Sequence, residues 1–124
     1  MLQRTLERLA PAPCLVIVDP RDPPSIPLPD HARLIADTRP GEGPLAALEA
    51  GLRTTDSDLV EVVGGDMPWV APSVLTLLTL RLVADAGADV ACLADDRGPR
   101  PLPLALRRER VLPRVTSLLD RGER

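Results

Sequence analysis

Leu59-Val-Glu-Val-Val-Gly-Gly-Asp-Met-Pro-Trp-Val-Ala-Pro72 is the stretch that decides the fold class. Its first five residues are apolar apart from Glu61 and mostly β-branched, which predicts a short buried strand over Leu59 to Val63. Gly64 and Gly65 end that strand in a turn. Pro72 then suits the first turn of a helix, where its missing N–H is not needed. Leu75, Leu78 and Leu82 follow at helical spacing and predict a helix to about Ala86. Strand, glycine turn and helix in that order are the repeating unit of α/β proteins.

Working outward, the same alternation continues in both directions. Leu2, Leu6 and Leu9 predict a helix over residues 2 to 9, which Pro11 and Pro13 stop. Cys14 to Val18 is a wholly apolar run leading into Asp19-Pro20. A loop with five prolines covers residues 20 to 30, and Ala32 to Ala36 predicts a second strand that ends at Asp37. Leu45, Leu48 and Leu52 space a helix from about Leu45 to Arg53, opened by Pro44. Downstream, Asp89 to Leu93 and residues 101 to 106 predict two more strands, and Glu109 to Leu119 a last helix. The expectation is a single α/β domain over residues 1–124, three-layered, with a mostly parallel sheet and helices on both faces.

Composition removes several function classes. Of 124 residues, 36 are Leu, Ile or Val, enough apolar content for one core. With 18 acidic and 15 basic side chains the net charge is −3, so no basic surface is on offer for nucleic acid. Trp69 is the only aromatic residue, which leaves no stacking platform for single strands. The longest apolar run is far short of a membrane span. Cys14 and Cys92 lie in separate apolar runs and read as reduced core thiols of a cytoplasmic protein. Trp69 is likewise assigned to the core, and His31 to the surface. All 15 basic residues are arginine; lysine is absent.

In parallel α/β sheets ligands bind beyond the carboxyl ends of the strands. Three of the expected strands lead there into an aspartate: Asp19, Asp37 and Asp66. Two accounts stay open. Each carboxylate is a turn cap, a role Asp often fills. Alternatively the three gather round a cation, and hard oxygen donors of this kind suit Mg²⁺ carrying a nucleotide's phosphates.

Longer segments carry a resemblance. Asp37-Thr-Arg-Pro-Gly-Glu-Gly-Pro-Leu-Ala-Ala-Leu-Glu-Ala-Gly-Leu52 resembles the "D…GPLAG…GL" segment of molybdenum cofactor guanylyltransferases. Val62-Val-Gly-Gly-Asp-Met-Pro-Trp-Val-Ala-Pro72 is similar to their "GDMPFV.P" segment. Arg100-Pro-Leu-Pro-Leu-Ala-Leu-Arg107 resembles their "QPL.ALY" strand, and residues 118–124 their "L..GER" ending. Order and spacing agree over nearly the whole chain. The resemblance implies a Rossmann-like nucleotidyltransferase fold and transfer of GMP from GTP to molybdopterin, with release of diphosphate. It implies that Asp66 is the catalytic carboxylate and Mg²⁺ ligand, and that Asp37, Asp66 and Asp19 contact the nucleotide. The family usually carries asparagine where Asp19 stands.

The family's pattern extends beyond both ends of this sequence. Its opening "LAGG…RMG…K" loop, which holds phosphates and supplies a lysine, and its Asn-Thr-Pro tail have no counterpart here. The fold is therefore expected to be incomplete at both ends, with a sheet edge left for a second copy or another partner to cover. Two other functions follow from that departure: a related transferase for CTP or a sugar phosphate, and a remnant that binds without turnover.

Overall fold

The computed structural model describes residues 1–124. Four helices and five strands follow one another as α1 (Leu2–Leu9), β1 (Cys14–Val18), β2 (Ala32–Ala36), α2 (Pro44–Thr54), β3 (Leu59–Val62), α3 (Pro72–Ala84), β4 (Val90–Asp95), β5 (Gly98–Arg107) and α4 (Arg108–Asp120). The fold is mixed α/β. Its residues cluster in two compact units that interleave along the chain: residues 1–9 with 57–111, and residues 10–56 with 112–124.

The first unit is built on a three-stranded antiparallel sheet of order β3-β5-β4. Leu59 pairs with Arg107 and Val62 with Leu104, while Val90 pairs with Leu106 on the other side. Asp95 opposite Gly98 closes a two-residue hairpin, and a connection that short forces β4 and β5 to run antiparallel. Pro99, Pro101 and Pro103 lie beyond the stretch that β3 pairs, where β5 has a partner on one side only and a missing donor is tolerated. Helix α3 covers the sheet. Leu78, Leu82 and Ala105 form the centre of this core, with Leu59, Val74, Ala88 and Ala91 packed round them. Arg107 ties sheet to helix: its Nε donates to the Ala88 carbonyl at 3.0 Å and Nη2 to that of Leu82 at 2.8 Å.

The second unit holds the parallel pair. β1 and β2 run in register from Cys14 opposite Ala32 to Val18 opposite Ala36. Helix α2 packs on them so closely that a Cβ on Gly51 would stand 3.4 Å from Cδ1 of Ile17. Ala46, Ala50 and Leu52 are buried along its inner face, and Val115 and Leu119 of α4 are buried in the same unit.

The parallel arrangement expected from the sequence is thus confined to β1 and β2, and the other three strands are antiparallel. The two thiols are free. Cys14 is half-buried, but Cys92 is exposed rather than in the core, because β4 is the outer strand of its sheet. No helix is long and apolar enough to cross a membrane.

Candidate functional site

In the first unit, β3 ends at Val62 and the chain turns through Gly64, Gly65 and Asp66. The Met67 amide donates to the Gly64 carbonyl at 3.1 Å, and the Gly64 amide meets the Met67 sulfur at 3.2 Å. Asp66 is exposed, and no hydrogen bond or ion pair holds its carboxylate. Oδ1 lies over Gly64, 2.7 Å from where a Cβ would stand, so the carboxylate occupies space that only glycine leaves open.

Helix α1 braces this turn from behind. The Thr5 hydroxyl, 1% exposed, donates towards the Gly65 carbonyl at 2.9 Å. Arg8 Nε donates to the Val70 carbonyl at 3.1 Å. Leu2 packs against Gly65, with its Cδ1 3.5 Å from a Cβ there. Neither Thr5 nor Arg8 stood out in the sequence, since nothing local marks a partner some sixty positions away. Trp69 departs from its assignment to the core: it is 64% exposed, because the turn buries Val70 instead and points the indole outwards.

In the second unit, Asp19 and Asp37 follow the ends of the paired strands β1 and β2, and the Asp37 amide donates to the Val18 carbonyl at 2.8 Å. Each opens an Asp-x-Arg turn. Asp19 Oδ1 accepts from the Arg21 amide at 2.8 Å, and Asp37 Oδ1 from the Arg39 amide at 2.9 Å. Both aspartates therefore do serve as turn caps. Their arginines go different ways. Arg21 folds back on Asp19, with Nε 3.0 Å from Oδ1 and Nη2 2.8 Å from Oδ2. These side-chain bonds hold the Asp19 carboxyl below the usual carboxylate range and raise the Arg21 guanidinium in turn. Arg39 instead reaches Asp120 at 3.0 Å and Glu49 at 3.4 Å, and the bond to Asp120 is the main cause that raises its pKa. Asp37 keeps its Oδ2 without a partner.

The structure thus brings Asp19 and Asp37 to the ends of neighbouring strands and sets Asp66 in the other unit. Their fitness for a cation differs. Mg²⁺ asks one or two carboxylates of a protein and takes the rest of its shell from water and phosphates. Asp66, exposed and unpaired, fits that demand. Asp19 does not, since Arg21 already neutralises it. No group of three or more His, Cys, Asp or Glu side chains gathers in the chain.

The model of the MobA-like NTP transferase domain matches residues 1–124. A probable molybdenum cofactor guanylyltransferase of Deinococcus radiodurans is 45% identical over 89 residues, 71% of this chain and 45% of that protein. A probable molybdenum cofactor guanylyltransferase of Chloroflexus aggregans is 35% identical over 79 residues, 63% of this chain and 37% of that protein. The crystal structure of molybdopterin-guanine dinucleotide biosynthesis protein A from Archaeoglobus fulgidus is similar at a TM-score of 0.60 and 28% identity, over 75% of this chain and 45% of that one. The chain spans less than half the length of each of these relatives. It belongs to the MobA-like NTP transferase domain family.

Proposed function

We propose that these residues serve a nucleotidyltransferase that joins GMP from GTP to molybdopterin. In that reaction a phosphate oxygen of molybdopterin forms a bond to the α-phosphorus of GTP, and the bond to the β-phosphate bridge breaks to release diphosphate. The observation that carries the proposal is the Asp66 turn, a free carboxylate on a backbone that Thr5 and Arg8 hold still, within a chain of this family. Asp66 would hold Mg²⁺ there, whose charge offsets that of the phosphate oxygens as the bond changes hands. Asp37 would contact the nucleotide through its unpartnered Oδ2, and Asp19 through a carboxylate already fixed by Arg21. The protein's part is mainly to position both reactants.

Both arginines of the Asp-x-Arg turns are engaged by carboxylates of this chain. A triphosphate would therefore draw its balancing charge from Mg²⁺ first. Binding should accordingly depend on Mg²⁺.

Trp69 lies three residues past Asp66 and is exposed, so its fluorescence can report binding. GTP with Mg²⁺ is expected to change that signal saturably, more tightly than CTP. Asp66→Asn should weaken GTP by about tenfold or more, the usual cost of losing a contact to a charged group. Equal affinity for GTP and CTP would point to a different nucleotide specificity. Binding that ignores both Mg²⁺ and Asp66→Asn would overturn the proposal.

A further inference from the structure

Glu49 is the one acidic side chain of the chain that is fully buried, at 2% exposure, and the roles assigned to Asp19, Asp37 and Asp66 leave it unused. It sits on the inner face of α2 beside Ala46, Ala50 and Leu52. A carboxylate among apolar neighbours is costly unless it is paired. Here it is surrounded by donors. Oε1 lies 3.4 Å from Arg39 Nε, while Oε2 accepts from the Thr116 hydroxyl at 2.8 Å and lies 3.4 Å from Arg53 Nη2. Arg53 Nη2 also reaches the Thr116 hydroxyl at 3.2 Å. Through these contacts one buried carboxylate links α2, α4 and the loop after β2.

Arg39 is the link that matters for the site. Its amide donates to Asp37 Oδ1, and its guanidinium is held from the other side by Glu49 and Asp120. Asp120 is 64% exposed, so water screens its bond to Arg39 and it is a weak anchor alone. Glu49 is held by the helix and by Thr116, so it is the rigid one. A turn of which both the amide and the side-chain head are fixed has little freedom left. The carboxylate at its first position is then aimed.

We propose that Glu49 is a positioning residue for the Asp37 turn, acting through Arg39 and fixed in place by Thr116. It touches no substrate. Its role towards the nucleotide rests on the assignment of Asp37 as a nucleotide contact, whereas its hold on the turn does not.

Amide hydrogen exchange on the ligand-free 124-residue chain tests the hold, and Mg²⁺-GTP titration tests its use. Glu49→Gln keeps the volume and removes the charge. It is expected to speed exchange at the Arg39 amide by about tenfold, in line with removing the charge from a buried ion pair, and to leave the β1 amides unchanged. Arg39→Gln, at a partly exposed position, should speed the amide of residue 39 likewise and covers the case in which Glu49→Gln does not fold. A purely structural role for Glu49 would speed β1 and residue 39 together, and that result, or unchanged exchange at residue 39 in either variant, overturns the proposal. In the titration, Glu49→Gln should weaken GTP in the wild-type background and add nothing in an Asp37→Asn background. An equal further loss there would also overturn it. If residue 39 loosens while Asp37→Asn binds GTP as well as wild type, the hold on the turn stands and the nucleotide assignment of Asp37 fails.

Discussion

A methyl group at position 64 would stand 2.7 Å from Oδ1 of Asp66 and 3.3 Å from the Met67 sulfur. Both neighbours are side-chain ends that can swing away, and the backbone of Gly64 does not lie in the left-handed region. Gly64→Ala should therefore change stability by less than about 1 kcal/mol while forcing the Asp66 carboxylate into another rotamer. Urea unfolding and the GTP titration, run side by side, separate the two effects: stability near wild type with weakened Mg²⁺-dependent binding is the expected pair. Full affinity in Gly64→Ala would show that the observed rotamer of Asp66 has no part in binding. At this scale the three aspartates were visible in the sequence because each follows an apolar strand. Thr5 and Arg8 were not, since each acts on a partner about sixty positions away, nor was Glu49, since Thr116, which fixes it, lies 67 positions on. Only Glu49 left a local trace, a charge on the apolar stripe of a predicted helix.

Helix α3 shows what periodicity can and cannot tell. The helical spacing of Leu75, Leu78 and Leu82 places them on one face, and all three are buried. Leu77, Leu80 and Val83 share the helix and are all more than half exposed, so apolar character alone does not tell the covered side from the open one. Leu82→Ala should cost about 2–5 kcal/mol, the usual range for emptying a packed leucine site. Leu80→Glu, 60% exposed in the wild type, should stay within about 0.5 kcal/mol and keep α3 helical by circular dichroism. A loss from Leu80→Glu as large as that from Leu82→Ala would mean the outer stripe is covered in solution. Although β5 starts at Gly98 instead of residue 101 and runs through three prolines, and α4 passes through Pro113, most element boundaries were legible because Pro and Gly punctuate them. Strand direction was not: β4 and β5 are apolar enough to suit a parallel sheet, and only the two-residue hairpin at Asp96 and Arg97 makes them antiparallel.

Over the whole chain the charge inventory sets an unusual alkaline response. There is no lysine and no tyrosine, and arginine keeps its proton, so few side chains are left to ionise on the alkaline side, the Cys14 thiol among them. Burial raises the Cys14 thiol from its ordinary value of 9.0, because half-buried surroundings penalise the thiolate. The sign follows directly. Well below pH 9.0 the thiol is protonated in both folded and unfolded chains, and its contribution to stability is fully present. Above that pH the unfolded chain gives up its proton first, so stability falls as pH rises through the folded value. On the acid side Asp19 works in the opposite sense: its carboxyl is held below 3.8 by Arg21, so the stability it adds is present above that pH and lost on further acidification. Urea midpoints should thus decline as pH rises through 9.0, and decline less in Cys14→Ser. An alkaline decline of equal slope in Cys14→Ser would assign the loss to some group other than this thiol.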